Sequence, residues 1–331
     1  MTKTATVERR DVAGLFSALL SGALAIPAWP ALLVLFATAG VVQPRLLSIP
    51  FLLIVLRQAV PLALSALGQC LPMIARSIDL SIGGVIAVVN VTLALPMFSG
   101  GPVWMSIAFP LLFGALIGLF NAGLIAFVRA SAVVVTLGVS VMLVGVSYLI
   151  SGGAPGGSVH PFVRDIATGR FAFIPGVSWT FPVAGALLLV IALVAAVVLR
   201  RTTFGHALYA TGSSYGAAWL GGLSVRKEMV VAHVLSGMFA GTAGIVLTGY
   251  IGTGTLNLGA DLVMASVAAV VLGGTTFGGG AGGVVGVLAG AYALTFLANL
   301  MTGMGVGKPA QLIVQGAIIA GAAALARWRE R

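Results

Sequence analysis

Polar side chains able to handle a small solute are set singly into the long apolar runs of this 331-residue chain: Asn90, Asn121, Thr136, Asn299, Gln311 and Gln315. An amide offers both donors and acceptors, so as a group they suit a passage for a neutral, hydroxyl-rich solute that must also leave again. Taken one at a time, each reads better as an interhelical hydrogen bond, because a buried amide without a partner costs about 1–3 kcal/mol. Asp79 and Asp261 are the candidate acids for proton coupling, each at an expected helix end. Arg76 stands three residues before Asp79, so an ion pair across one helical turn competes with a gating role for that carboxylate.

Two glycine-flanked interruptions, 75–84 (ARSIDLSIGG) and 272–283 (LGGTTFGGGAGG), occupy similar places in the two halves. A helix broken in lipid frees backbone N–H and C=O groups, and it is tolerated where those groups are buried in protein or line a cavity. Paired interruptions therefore mark a transport pathway. The competing reading is that the glycines only let helices pack closely. On the pathway reading, Asp79, Ser81 and Gly83 in the first break, and Gly273, Gly274 and Thr275 in the second, are the gating candidates.

Several chemistries are excluded. No Gly-x-x-x-x-Gly-Lys-Ser/Thr phosphate loop occurs; Gly307-Lys308-Pro309 puts proline where the magnesium-ligating hydroxyl belongs. The run 278–283 fits Gly-x-Gly-x-x-Gly but follows an apolar helix, with no acid about 20 residues on. Gly212-Ser213-Ser214-Tyr215-Gly216 fits a nucleophile elbow without the acid partner that a hydrolase needs. His233 has no second ligand at metal spacing, and the single cysteine, Cys70, reads as an inert core thiol. The pairs Gly114/Gly118, Gly237/Gly241 and Gly286/Gly290 read as close helix contacts. The expectation is a protein without catalytic residues, metal ligands or a cofactor of its own.

The elements that must position these residues follow from composition. With 60% hydrophobic residues, 7% charged residues and a mean hydropathy of +1.15, the chain is an all-α polytopic membrane protein. Its +10 charge lies in short clusters between apolar runs, which is a topological pattern and excludes a nucleic-acid surface. A spanning helix needs about 20 apolar residues. Ten helices are expected near 14–41, 51–74, 82–98, 103–128, 132–151, 179–199, 229–251, 262–274, 283–303 and 309–326, the third and eighth short and beside the breaks. With both termini cytoplasmic, twelve basic residues fall inside and five (Arg45, Arg57, Arg164, Arg170, Lys308) outside. The domain reading is a single transmembrane unit, 1–331, with a cytoplasmic tail 1–13, a periplasmic loop 152–178 and a basic-ended cytoplasmic segment 200–227. The loop either caps a mouth or meets an external partner. The segment contains a short helix candidate at 215–220, either a membrane anchor or a docking element for a soluble subunit.

From about Pro44 to its end the chain resembles the permease subunits of ribose-type, branched-chain-permease-like ATP-binding-cassette importers. The resemblance rests on Ile78-Asp79-Leu80-Ser81-Ile82-Gly83, Gly118-Leu119-Phe120-Asn121-Ala122-Gly123, Val135-Thr136-Leu137-Gly138, Tyr209-Ala210-Thr211-Gly212, Ala217-Ala218 before Gly222, Asn257-Leu258-Gly259 and Ala268-Ala269-Val270-Val271-Leu272-Gly273-Gly274-Thr275, in that order. The chain departs from the family at Arg76-Ser77, where Gly-Gly is usual, and at Gly216, where a polar or acidic residue is. The resemblance implies a bacterial inner-membrane transport subunit for a sugar or similar solute, working by alternating access in a homo- or heterodimer. It also implies a partner ATPase that binds ATP and Mg, docked near Gly212, Gly216, Ala217, Ala218 and Gly222, and a periplasmic binding protein. A proton-coupled secondary transporter is the alternative.

Overall fold

In the computed structural model, residues 26–172 and 179–329 are described. The expected tail 1–13, the start of the first expected helix and positions 173–178 of the loop lie outside them. Lipid offers backbone groups no partner, so the apolar runs close their own hydrogen bonds as helices. Among the described residues these are α1 (Ala28–Val42), α2 (Ile49–Ile74), α3 (Ile82–Leu93), α4 (Pro96–Ser99), α5 (Val103–Ala126), α6 (Ala132–Ser151), α7 (Pro161–Thr168), α8 (Val183–Arg201), α9 (Thr203–Ser213), α10 (Tyr215–Leu220), α11 (Val225–Ile251), α12 (Ala260–Leu272), α13 (Val284–Gly303) and α14 (Lys308–Arg329). A two-residue hairpin, β1 (Arg170–Phe171) and β2 (Phe181–Pro182), pairs antiparallel before α8.

Each of the ten expected segments contains a helix, and among the described residues six (α2, α5, α6, α8, α11 and α13) are long and apolar enough to cross a membrane. The helices α3 and α12 have 12 and 13 residues. At 1.5 Å per residue they reach about 18–20 Å, well short of a hydrocarbon core of about 30 Å. The third helix stops at Leu93 where 98 was expected, because Pro96 opens the separate turn α4.

The core is built around α2, α3 and α11. Every residue of α3 is buried, as is α2 from Ala59 to Ile74. Close approach of α5 to α11 depends on small residues: a Cβ at Gly114 would strike the Gly237 carbonyl, one at Gly237 the Gly114 carbonyl, and one at Gly118 the His233 carbonyl. On the other flank, Gly286 and Gly290 of α13 press against Gly273 and Ala269 of α12. Apolar rows on α5 (Leu112, Leu116, Leu119) and α8 (Leu189, Leu193, Val197) face outward, as lipid or a second subunit requires.

Contacts along α11 measure depth. Ser77 meets His233, Asp79 meets Ser236, and Asn90 meets Thr248. After a turn at 75–76 on the side of the end that carries 200–227 (the proximal end), residues 77–80 thus run on to mid-height, about 16 Å along α11, where α3 begins. The loop 252–259 does the converse from the distal end. A Cβ at Gly254 would meet Gly156 and Ala94, whereas one at Gly259 would meet Ile86 and the Gly83 carbonyl. The first turns of α3 and α12 therefore abut at mid-height and the two half-helices depart in opposite directions. By depth, the counterpart of break 75–84 is 252–259; the 272–283 stretch is instead the proximal turn between α12 and α13.

Candidate translocation and coupling site

At mid-height, Asp79 is 1% exposed and fully engaged. Its Oδ1 accepts from the Ser81 backbone N–H at 2.9 Å and from Ser81 Oγ at 2.5 Å, and its Oδ2 accepts from Ser236 Oγ at 2.8 Å. Ser81 Oγ in turn accepts from Asn121 Nδ2 at 2.8 Å. The carboxylate lies at the N-terminus of α3, where free N–H groups and the positive end of the helix favour an anion. Sequence spacing puts Asp79 near a helix end, with an Arg76 ion pair and a gating role both open to it. The structure puts it in the interior and gives it hydroxyl partners, because the stretch 77–80 after the turn carries it inward from the end of α2.

Arg76 turns the other way. Held at φ 59°, it sends Nε to the Gly212 carbonyl at 2.5 Å and a terminal nitrogen to the Ser213 carbonyl at 2.8 Å. Those carbonyls close α9, whose negative C-terminal end attracts a guanidinium. The second break joins the same cluster. Gly280 N–H donates to the Ile74 carbonyl at 2.9 Å, and Tyr209 Oη of α9 donates to the Gly282 carbonyl at 2.9 Å. Burial pushes the Tyr209 phenol above its ordinary range, which keeps it a neutral donor. Gly274, Gly279 and Gly280 have φ of 88°, 73° and 71°, a backbone that glycine supplies at little cost. Thr275 is buried with Oγ1 3.7 Å from Cys70 Sγ, and Gly273 is pressed against Gly286.

The amides fall into two groups. Asn90, Asn121 and Thr136 are wholly buried. Asn90 accepts from Thr255 N–H at 2.7 Å and donates to the Thr253 carbonyl at 3.1 Å, holding the 252–259 loop onto α3. Thr136 Oγ1 accepts from Leu80 N–H at 3.0 Å, meeting one of the backbone groups that the first break frees. Asn299 and Gln311 lie apart from these. Asn299 lies toward the distal end of α13, 15 positions after Val284 at its start. Asn299 Nδ2 donates to Gln58 Oε1 at 2.8 Å. Gln311 lines a cavity of about 180 Å³ with Gln58, Asp261, Lys308 and Gln315, its rim carrying the Lys308–Asp261 ion pair at 3.1 Å.

The five docking candidates also divide. Gly212 is buried, and a Cβ there would strike the Ile74 carbonyl and the Gly280 nitrogen. Ala218 is 6% exposed and faces inward. Gly216, Ala217 and Gly222 are exposed, and the outward apolar side chains of α10 are Tyr215, Trp219 and Leu220. Ser214 caps α10 by accepting from Ala217 N–H at 3.3 Å. Sequence reasoning missed Ser236, one more small residue in a small-residue helix. It also missed Gln69, fully buried with neither end of its amide hydrogen-bonded, although a glutamine inside an apolar run was a visible signal.

Residues 51–323 match the family model described as the permease component of the branched-chain amino acid transport system. Among curated proteins, the chain is 34% identical over 274 residues to the autoinducer 2 import system permease protein LsrC of Salmonella choleraesuis, covering 82% of this chain and 76% of that one. It is 31% identical over 271 residues to LsrC of Yersinia enterocolitica, covering 82% and 73%. No solved structure matches.

Proposed function

The chain belongs to the family of permease components of branched-chain amino acid transport systems, and from that premise we propose that it is the transmembrane subunit of an ATP-driven bacterial importer. It passes a small polar solute, a sugar or a similar hydroxyl-rich molecule, across the inner membrane by alternating access. The names of the LsrC relatives give autoinducer 2 as their cargo, and we extend to this chain only its class, a small solute.

The observation that carries the reading is the junction of α9 with both breaks, through Arg76 to Gly212 and Ser213 and through Tyr209 to Gly282. A partner ATPase that binds ATP and Mg would dock on the exposed side of α10, with the proximal end and both termini cytoplasmic. Its closure would move α9 and α10, and Arg76 would pass that motion to 75–81 and so to the start of α3. Asp79, Ser81 and Gly83, with Gly273, Gly274 and Thr275, would form the hinge. A second permease subunit would complete the pore, and a periplasmic binding protein would deliver solute at the distal end, where Gln311 lines the open cavity and Asn299 bonds to Gln58 of its wall. Asn90, Asn121 and Thr136 would meet the solute only in a state that separates α3 from α11 or α6. Asp79 is held by three donors, which favours this reading over a proton-coupled carrier.

Reconstitution tests it. With an ATPase subunit and a binding protein, vesicles should accumulate solute when ATP is supplied and continue when the proton gradient is collapsed. Accumulation lost to an uncoupler at constant ATP would establish the secondary-transporter alternative.

A further inference from the structure

At the distal end, a cavity of about 100 Å³ is lined by two arginines, Arg57 of α2 and Arg170 of β1, together with Trp179, Thr180, Pro182 and the α2 residues Pro50, Leu53 and Ile54. Two like charges converging on one small cavity repel unless an anion lies between them. The described residues supply none: the one ion pair among them is Lys308–Asp261. Nor can the neighbouring positions 173–178 supply one, since FIPGVS contains no acid. Arg57 Nε is buried without a partner while its guanidinium lies 5.0 Å from the Tyr250 ring centroid, and the Tyr250 hydroxyl is likewise buried without a partner. A guanidinium N–H can only donate, so the group that completes the site is an acceptor.

Depth and lining narrow the choice. The 26 residues of α2 exceed a 30 Å core by about 9 Å, so a centred helix puts the Arg57 backbone about 8 Å below the hydrocarbon boundary. A guanidinium rising from there ends at headgroup level. Trp179 is a residue type of that interface, and Leu53 and Ile54 form an apolar wall below it. The flank beside Pro182 is α8, with its outward Leu189, Val190 and Leu193. We propose that this cavity is an oxyanion site for the phosphodiester of a phospholipid headgroup, gripped by Arg57 and Arg170 with an acyl chain along α2 or α8. The inference depends on the membrane placement of α2 and α8 and is independent of ATP coupling.

The test uses full-length protein in non-ionic detergent, stripped of lipid and titrated with phosphatidylglycerol under native mass spectrometry. Wild type should retain one lipid per chain more tightly than the rest. Arg57→Gln and Arg170→Gln should each weaken that retention about tenfold, as loss of a charge-assisted bidentate contact does. Arg164→Gln, an exposed arginine on α7 that does not line the cavity, should leave it unchanged. If Arg57→Gln does not fold, Arg170→Gln alone decides, since its side chain is exposed. Inorganic phosphate should compete only weakly, lacking the acyl contact; equal competition would identify a free-anion site and overturn the lipid assignment. Lipid retention equal to wild type in the variants would also overturn it, as would unchanged retention with lost affinity for a binding protein, which would identify a protein carboxylate as the occupant.

Discussion

The guanidinium of Arg76 sits 2.5 Å from the Gly212 carbonyl, joining the first break in the membrane to the last turn of α9. Arg76 holds φ 59°, in the left-handed region, in order to make the contact. A left-handed conformation costs a non-glycine residue about 1–2 kcal/mol, and two charge-assisted hydrogen bonds offset it.

If that contact transmits motion, Arg76→Gly should relax the backbone yet uncouple. We expect normal expression and thermal stability within about 1 kcal/mol of wild type, with solute uptake per ATP hydrolysed reduced at least severalfold. Arg76→Lys should recover part of the coupling, since an ammonium reaches one carbonyl but not two. Uptake and ATP turnover measured in the same vesicles read the ratio directly, and an unchanged ratio in Arg76→Gly would remove Arg76 from the coupling route.

Gly212 and Gly216 form an internal control four residues apart. A methyl at Gly212 strikes the Ile74 carbonyl and the Gly280 nitrogen, whereas nothing lies within 4 Å of one at Gly216. Gly212→Ala should destabilise the protein by about 1–3 kcal/mol through overpacking against backbone that cannot yield. Gly216→Ala should be neutral or slightly stabilising, because alanine is the better helix former. Thermal unfolding of the two purified variants checks this, and equal melting temperatures would contradict the packing.

Asp79 and Ser236 predict a stability effect of definite sign. Ser236→Ala removes one donor and leaves two on the carboxylate, so its cost should be about 1–2 kcal/mol. Asp79→Ala orphans the Ser81 N–H and the Ser236 hydroxyl together and should cost more, about 2–4 kcal/mol. Were Asp79 paired with Arg76, Ser236→Ala would be silent and Arg76→Ala would carry the loss. Melting curves for the three variants separate the two arrangements.

The outward face of α10 changes where docking should be probed. Ala218 points into the protein, so an arginine there would disrupt the permease itself and say nothing of a partner. Trp219 and Leu220, on the outward face of α10, are 66% and 80% exposed. Trp219→Ala with Leu220→Ser should therefore leave folding intact and reduce co-purification of the ATPase about tenfold or more, as loss of an aromatic anchor does at other interfaces. Full recovery of the complex would move the docking site elsewhere.

The helices, the interruption at 75–84 and the use of the glycine pairs on α5 and α11 for close packing were legible in the sequence, because each rests on local chemistry: apolar length, backbone freedom, side-chain size; that the two pairs meet each other was not. Depth and facing were not. In a soluble helix, polarity marks the outer face, but here lipid and core are both apolar, so the hydrophobic pattern could not say that Ala218 turns inward or that every side of α3 is buried. The loop 252–259 has the Thr, Gly and Asn composition of any turn, and nothing in it distinguishes a surface connection from one that descends to mid-height. Only its contacts do, Asn90 with Thr255 and Gly259 with Ile86.

The split of the amides between interior and cavity yields the last test. Cys70 is the one cysteine, so a Cys70→Ser background accepts single reporters. In the resting protein, cysteines at Gln311 and Gln315 should react quickly with a small charged thiol reagent, since both positions line the distal cavity. A cysteine at Asn121 should not, because that side chain is wholly buried against Ser81. Under ATP turnover with the partner subunits, alternating access should slow labelling at the distal positions as the cavity closes. If Asn121 belongs to the passage, its cysteine should then begin to react, and the Asn121→Leu variant should lose uptake at normal expression. If Asn121 serves packing alone, the cysteine will stay silent throughout the cycle and Asn121→Leu will lose expression instead. The two outcomes exclude each other, so one series of labelling rates assigns the residue.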